Sequence, residues 1–204
     1  MTRRPKGSRS SHAWAHACAV VLLAFALVSV DAQASAQEPD PELAAALRQT
    51  VNDAASFPDR FDAEVWLVDM SSRLSRYVKD HDERLMFLKL VHLEATKANL
   101  SPELVLAVIH VESLFDRFAI SSVGAQGAMQ VMPFWKNEIG RPDDNLMDMA
   151  TNLRYGCTIL RHYIKRSKGN LTEALARYNG SYGRIKYPVK VFDRWEKYWF
   201  VNGK

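Results

Sequence analysis

Apolar residues recur at helical spacing along most of the chain beyond position 40, and this pattern predicts a mainly α protein. One helix is predicted to begin at Asp40-Pro41-Glu42, which combines a capping residue, a proline at the first position and an early acid, and to run to about Ala55. Further helices are predicted over 59–79, 82–98, 101–115, 145–166, 170–180 and 189–201. The segment 119–134 holds two glycines, two serines and a proline, so it is predicted to be a loop between two helices.

The first 36 residues have the order of a secretory signal peptide. Four basic residues within positions 1–9 precede an apolar run over 19–30, and Ala34-Ser35-Ala36 supplies the small-residue cleavage site. The apolar run is shorter than the roughly 20 residues that a transmembrane helix needs. We therefore expect cleavage after Ala36 and export to the periplasm, with an uncleaved N-terminal anchor as the alternative.

The net charge of +4 on the 204-residue chain belongs mostly to this leader. Residues 37–204 carry 23 basic and 22 acidic side chains, so they are nearly neutral. The segment 37–150 is acidic, with 11 basic and 19 acidic side chains, and the segment 151–204 is basic, with 12 basic and 3 acidic side chains. The overall positive charge was the feature that suggested a nucleic-acid-binding function. Since that charge lies mostly in the leader, no nucleic-acid partner is expected. A composition of 48% hydrophobic and 25% charged residues excludes a disordered chain and a multispan membrane protein.

Neither a disulfide nor a metal site is predicted. Cys157 is the single cysteine beyond the leader, and its apolar neighbours indicate a buried side chain rather than a reactive thiol. The histidines are scattered without metal-ligand spacing, and a structural or surface role is expected for His110. With no glycine-rich phosphate loop in the sequence, no cofactor is expected.

Glu112 is the strongest candidate for a catalytic residue. It lies near the end of the predicted 101–115 helix, with Val108 one turn earlier and Val111 and Phe115 beside it. A carboxyl group next to an apolar stripe is partly desolvated, which raises its pKa toward the value that a general acid needs near neutral pH. A glutamate in this position is more often a solvated helix-edge residue, so the assignment depends on the residues that follow.

Three blocks within residues 101–183 each match a motif of one family. The first block reads Glu112-Ser113-Leu114-Phe115, Ala119-Ile120-Ser121 and Gly124-Ala125-Gln126-Gly127-Ala128-Met129-Gln130-Val131-Met132-Pro133. It resembles the E-S pair, serine-containing connection, G-A-x-G-L-M-Q turn and M-P of the lytic transglycosylase (SLT domain) family, with Ala128 in place of Leu. Asp148, Asn152 and Gly156 resemble the D…N…G helix of this family. Ala174-Leu175-Ala176-Arg177-Tyr178-Asn179-Gly180 resembles its A-x-A-Y-N-x-G motif, with Arg177 where Ala is common.

The resemblance implies a mainly α, lysozyme-like α+β fold with a small β-hairpin or irregular loop near 119–131. Residues 37–98 would form a helical N-terminal extension and residues 99–204 the catalytic domain. The implied activity is cleavage of the β-1,4 bond between N-acetylmuramic acid and N-acetylglucosamine in peptidoglycan. Glu112 would protonate the glycosidic oxygen and then take a proton from the muramoyl C6 hydroxyl, which closes a 1,6-anhydro ring. The partner would be a glycan strand, and a monomer is expected.

The same resemblance assigns the residues around the acid. Ser121, Gln130 and Met132 would line the sugar site, and Tyr178 would reach Glu112 with its hydroxyl or contact the sugar. Asn179 would hold the local turn or bind substrate. Ser113 is placed among the substrate-binding residues, although support of the carboxylate or capping of the helix is its favoured role.

Two other activities remain open at this point. A lysozyme-type hydrolase would use a second carboxylate, about 5–9.5 Å from the first. Asp116 and Asp148 are candidates, but an Asp that ends or begins a helix is expected at both positions. A non-catalytic wall-binding protein of the same fold is the third possibility. The basic, aromatic tail from Arg184 to Lys204 is expected to be a packed helix, with binding of a polyanion as the alternative.

Overall fold

The computed structural model describes residue 56 and residues 59–201, and for Arg60 it describes the backbone only. This part of the chain is built from seven α-helices and a terminal π-helical segment. The α-helices are α1 (Arg60–Leu74), α2 (His81–Lys97), α3 (Pro102–Glu112), α4 (Trp135–Ile139), α5 (Met149–Arg166), α6 (Leu171–Tyr178) and α7 (Lys186–Arg194), and the π-helical segment is Trp195–Trp199.

Helix α3 is the centre of the core. Every residue from Leu104 to His110 is buried, and the helix packs against α2, α7 and the π-helical segment. Helix α5 packs against α2 and α6, and α6 packs against α7. A helix that is apolar on all sides is stabilised only when neighbouring helices surround it. The stabilisation is about 25 cal/mol for each Å² of apolar surface removed from water.

Short polar residues set the starts of the long helices. The side chains of Asp80, Asp148 and Asn170 each accept a hydrogen bond from a backbone N–H three residues later. Ser101 does the same for Leu104, and Pro102 occupies the first helical position. These contacts satisfy N–H groups that have no partner inside the helix, and the predicted starts at 82, 101 and 170 lie within one residue of the observed ones. Helix α5 begins at Met149 rather than at 145, and α7 begins at Lys186 rather than at 189.

The mainly α prediction is confirmed, with differences at the helix ends. Helix α3 ends at Glu112 rather than at 115, because Leu114 and Phe115 adopt left-handed φ angles of 53° and 69°. The predicted loop contains two isolated antiparallel β-bridges, which join Gln126 to Ile120 and to Val131. Of the two expected forms of this segment, a small β-hairpin and an irregular loop, the structure therefore has the irregular loop.

Some predictions fall on residues that the structure does not describe. The leader over 1–36, its cleavage after Ala36 and the helix from Asp40 to Ala55 lie outside the described residues and stay predictions. Among the helices that are described, none combines the length and the apolar character needed to cross a membrane. The division of the chain at 98/99 also stays a prediction.

Candidate active site

Glu112 is the last residue of the buried helix α3, so its carboxylate emerges where the core meets the surface. The chain turns sharply after it, and Phe115 returns into the core against the rings of Phe87 and Trp199. Two consecutive non-glycine residues in the left-handed region are unfavourable by about 1–3 kcal/mol each. The packing of Phe115 stabilises this turn and thereby holds the end of α3 in place.

The 119–134 loop is held against this helix end through three of its carbonyl groups. The Ser113 hydroxyl donates to the Ala128 carbonyl at 2.8 Å, the Tyr178 hydroxyl donates to the Met129 carbonyl at 2.8 Å, and Asn152 Nδ2 donates to the Gln126 carbonyl at 2.8 Å. The three side chains come from the end of α3, from α6 and from α5. Each sequence block thus contributes one contact to the same loop.

The spacing of Asp148, Asn152 and Gly156 places them on one face of α5. Asp148 caps the helix, while Asn152 is buried and also accepts a hydrogen bond from the Met129 N–H at 2.8 Å. A Cβ atom on Gly156 would lie 2.3 Å from Met129 Sδ. The loop and the helix therefore approach so closely that only glycine fits at this position.

The loop and residues of the helices α3, α4, α5 and α6 line a cleft of about 230 Å³ beside Glu112. The cleft is lined by Glu112, Ser121, Val123, Ala125, Gln130, Val131, Met132, Trp135, Ile159, Tyr178 and Asn179. Of the predicted site residues, the cleft brings together Glu112, Ser121, Gln130, Met132, Tyr178 and Asn179. Ser113 is not among them, since its hydroxyl bonds to the loop backbone.

Tyr187, at the start of α7, donates a hydrogen bond from its hydroxyl to Glu112 Oε1 at 2.5 Å. Burial raises the pKa of Glu112 to about 7, and the hydrogen bond from Tyr187 acts in the opposite direction by lowering it. The pKa of Tyr187 is raised well above its usual range by burial and by the nearby carboxylate, so its hydroxyl keeps its proton. The expected desolvation of Glu112 is thus observed, and a protonated carboxylic acid is available near neutral pH.

The partner of the carboxylate is therefore Tyr187 and not Tyr178, contrary to one of the two roles expected for Tyr178. The Tyr178 hydroxyl reaches the loop backbone instead, although its ring lines the cleft. The sequence contained a signal for Tyr187: it begins an apolar stripe through Val191 and Trp195 at four-residue spacing. The helix was predicted only over 189–201, which leaves Tyr187 outside it, and nothing in the spacing says which ring meets the acid.

Gln130 is held by its own loop. Its side-chain amide donates to the carbonyls of Ala119 and Gly127, at 3.1 and 3.0 Å. Both N–H groups of the amide are thus in use, and only its oxygen is left to accept a hydrogen bond from a ligand. Gln130 lines the cleft, but toward an N-acetyl group it can only accept a hydrogen bond.

A second cavity, of about 360 Å³, also borders the acid. Glu112 and Asn179 line both cavities. The second one is also lined by Val111, Ser181, Arg184, Lys186, Tyr187 and Lys190. A ligand that runs past Glu112 from one cavity into the other would meet apolar and amide groups first and cationic groups second.

No second carboxylate faces the acid among the described residues that line these cavities. Asp116 accepts a hydrogen bond from the Phe118 N–H at 2.9 Å. Asp148 caps α5. Both candidates for a second acid therefore have structural roles in turns and helix starts.

The histidine and cysteine predictions agree with the structure. His110 is buried, with Trp199 Nε1 donating to its Nδ1 at 3.1 Å and its Nε2 within 3.0 Å of the Tyr77 hydroxyl. Cys157 is a buried free thiol whose pKa is raised by burial. Within the described part of the chain, no group of three or more His, Cys, Asp or Glu side chains could hold a metal ion.

The fold and the site together define a helical protein in which a half-buried carboxylic acid, Glu112, borders two cavities. Residues 89–198 match the family described as Transglycosylase SLT domain. Because this match covers more than half of the sequence, the chain belongs to that family.

Two curated relatives and one solved structure are similar to this chain. A transglycosylase from Enterobacteria phage PRD1 is 30% identical over 107 residues, which are 52% of this chain and 39% of that protein. Membrane-bound lytic murein transglycosylase F from Desulfosudis oleivorans is 33% identical over 106 residues, which are 49% of this chain and 23% of that protein. The X-ray structure of an inactive mutant of lytic transglycosylase Slt from Pseudomonas aeruginosa covers 78% of this chain and 35% of its own, with 22% identity and a TM-score of 0.43. The chain thus spans well under half the length of each.

Proposed function

We propose that the protein is a peptidoglycan lytic transglycosylase, which cleaves the bond between N-acetylmuramic acid and N-acetylglucosamine without water. One observation carries this proposal: a single carboxylic acid, Glu112, borders two cavities and has a pKa of about 7. A hydrolase that uses two carboxylates would need a partner for Glu112, and neither Asp116 nor Asp148 offers one.

The first step is protonation of the leaving group. Tyr187 donates to Oε1 of Glu112, so this oxygen is an acceptor and the proton of the carboxylic acid sits on Oε2. Glu112 gives this proton to the glycosidic oxygen while the bond from that oxygen to C1 of the muramoyl sugar breaks. The resulting carboxylate keeps the hydrogen bond from Tyr187.

In the second step the same carboxylate acts as a base. It takes the proton from the muramoyl C6 hydroxyl, and the C6 oxygen forms a new bond to C1, which closes the 1,6-anhydro ring. Glu112 returns to its protonated state, so the cycle balances without a second acid. Because the nucleophile is already tethered to the sugar, one positioned side chain is sufficient for both proton transfers.

The remaining residues have supporting roles. Ser121, Met132, Tyr178 and Asn179 would contact the sugar strand in the cleft, together with the oxygen of Gln130. Ser113 would act through the loop that it holds rather than by contact with substrate. The proposal includes export to the periplasm by the predicted leader, because the substrate lies outside the cytoplasm.

The test is digestion of purified cell-wall sacculi followed by mass spectrometry of the released muropeptides. We expect products lighter by one water than those of a hydrolase, and a loss of at least about a thousand-fold in rate for Glu112→Gln. Products with reducing ends only would instead show a hydrolase. Equal release by the wild type and Glu112→Gln would reject Glu112 as the acid, and no release by either would favour a wall-binding protein.

A further inference from the structure

The second cavity differs from the first in the charge of its walls. Arg184, Lys186 and Lys190 supply three cationic side chains, and the only acid that lines this cavity with them is Glu112. The first cavity is lined by apolar and uncharged polar groups apart from the same glutamate. A ligand that extends past Glu112 from the first cavity to the second would therefore pass from neutral walls to cationic walls.

These three cations are exposed and have no acidic partner among the described residues, unlike their neighbours. Arg177 pairs with Glu173 at 2.7 Å, and Arg194 and Lys197 both pair with Asp193, at 2.6 and 2.5 Å. Other cations of the segment 151–204, such as Lys165 and Lys168, also lack an ion pair among the described residues, but they line neither cavity. Three like charges around one hollow repel one another unless an anion lies between them.

On the basis of the proposed function, we infer that Arg184, Lys186 and Lys190 form a subsite for the carboxylates of the stem peptide that the glycan strand carries. The cavity of about 360 Å³ is large enough for a short peptide segment. It is adjacent to the sugar cleft, since Glu112 and Asn179 line both cavities. A group bound there would belong to the same strand whose bond is cleaved.

The chemistry of the strand favours the peptide over the sugars as the occupant. The sugars are uncharged, and the lactyl carboxyl of each muramic acid is consumed in the amide bond to the peptide. In an intact strand, the free carboxylates therefore lie on the stem peptide. Lysine and arginine bind carboxylates through charge-assisted hydrogen bonds, with Arg able to do so in a bidentate manner.

The test measures binding separately from cleavage. The Glu112→Gln protein is titrated with soluble uncrosslinked strands in three forms: intact, with the peptide carboxylates converted to amides, and stripped of peptide by an amidase, which frees the lactyl carboxylate. We expect intact strands to bind about tenfold more tightly than either other form, the sum of three partly exposed ion contacts. The preference should weaken as salt is added.

Neutralisation of the cluster should remove the preference. In the Glu112→Gln background, Arg184→Gln with Lys186→Gln and Lys190→Gln should bind all three strand forms with similar affinity. The matched control, Lys79→Gln with Lys165→Gln and Lys168→Gln, removes the same charge outside both cavities and should keep the preference.

Three results would overturn the inference: equal binding of intact and amidated strands, a preference that survives in the triple cavity variant, or stripped strands that bind as tightly as intact ones. The last result would assign the cluster to the lactyl carboxylate. The proposed function is judged on a different readout, the mass of the products made by protein with Glu112 intact. A binding preference without anhydro products would reject the lyase activity alone.

Discussion

Two opposing influences set the protonation of Glu112. Burial raises the pKa of its carboxyl to about 7, and the hydrogen bond from Tyr187 limits that rise by favouring the ionised form. A catalyst that acts first as an acid and then as a base needs both forms within easy reach. The position of Tyr187 is therefore as important to the chemistry as the apolar surroundings of the acid.

Tyr187→Phe removes this hydrogen bond, so the pKa of Glu112 should rise above 7. Activity requires the protonated acid, and it is lost as pH rises through this pKa. The falling limb of the pH–rate profile should consequently move to higher pH in the variant. Tyr178→Phe is the matched control: it loses the bond to the Met129 carbonyl, about 1 kcal/mol of stability, and should leave the limb unmoved. An unmoved limb in Tyr187→Phe would show that the hydroxyl does not tune the acid.

Helix α5 acts as the support for the substrate-facing loop. Asn152 makes three hydrogen bonds at 2.8–2.9 Å, to the N–H of Met129 and to the carbonyls of Gln126 and Leu146. A Cβ atom on Gly127 would lie 2.3 Å from Asn152 Nδ2, and Gly127 has a φ of 74°. Gly127 and Asn152 are thus two parts of one contact, although 25 positions separate them.

Asn152→Ala should lower the free energy of unfolding by about 3 kcal/mol, since two buried backbone groups and one part-buried backbone group lose their partner. The rate of cleavage should fall more than stability alone explains, because the loop that carries Gln130 and Met132 loosens. Urea unfolding and turnover of soluble strands measure the two effects. Asp148→Ala removes the cap of the same helix and should lower the free energy of unfolding by about 1 kcal/mol. The turnover of the folded variant should stay close to that of the wild type. Similar turnover in both folded variants would contradict the supporting role of Asn152.

In the molecule as a whole, one buried histidine links distant parts of the core. His110 on α3 lies among the rings of Tyr77, Phe115, Tyr198 and Trp199. Trp199 donates to Nδ1, so the neutral ring carries its proton on Nε2, directed at the Tyr77 hydroxyl. Burial, together with the charges of Arg194 and Arg76, lowers the pKa of His110 to about 4, and Asp193 acts in the opposite direction.

This lowered pKa predicts a specific response to acid. The unfolded chain binds a proton on His110 below pH of about 6.5 whereas the folded protein does so only near 4, so His110 lowers stability as pH falls through this window. The contribution lost between pH 7 and pH 4 is about 3 kcal/mol. Glu112 titrates in the opposite sense, so the overall change is smaller.

The comparison with His110→Gln isolates the histidine from the other groups. The variant should be less stable than the wild type at pH 7, and this difference should shrink by about 3 kcal/mol at pH 4. Denaturant unfolding at several pH values measures it. A difference that stays constant with pH would mean that His110 is protonated to the same extent in both states.

The helices could be predicted from local information, whereas Glu112 became the candidate acid through its resemblance to a family motif. Caps such as Asp80, Ser101 and Asn170 act on the next three residues, and apolar periodicity is a property of a single helix. The five-residue helix α4 was not predicted, because its start at Phe134 has no side-chain cap and none of its residues is buried. Short elements of this kind depend on their surroundings more than on their own sequence.

Sequence alone was sufficient for the helical class, the Glu112-Ser113 pair and the family motifs, because these depend on residue types and short spacings. The meeting of Tyr187 with Glu112, 75 positions apart, depended on the packing of α7 against α3. The same packing places Arg184, Lys186 and Lys190, which belong to the basic segment 151–204, at a cavity beside the acid. Side chains far apart in sequence meet only when the core orders the helices, and no periodicity within one helix can encode that meeting.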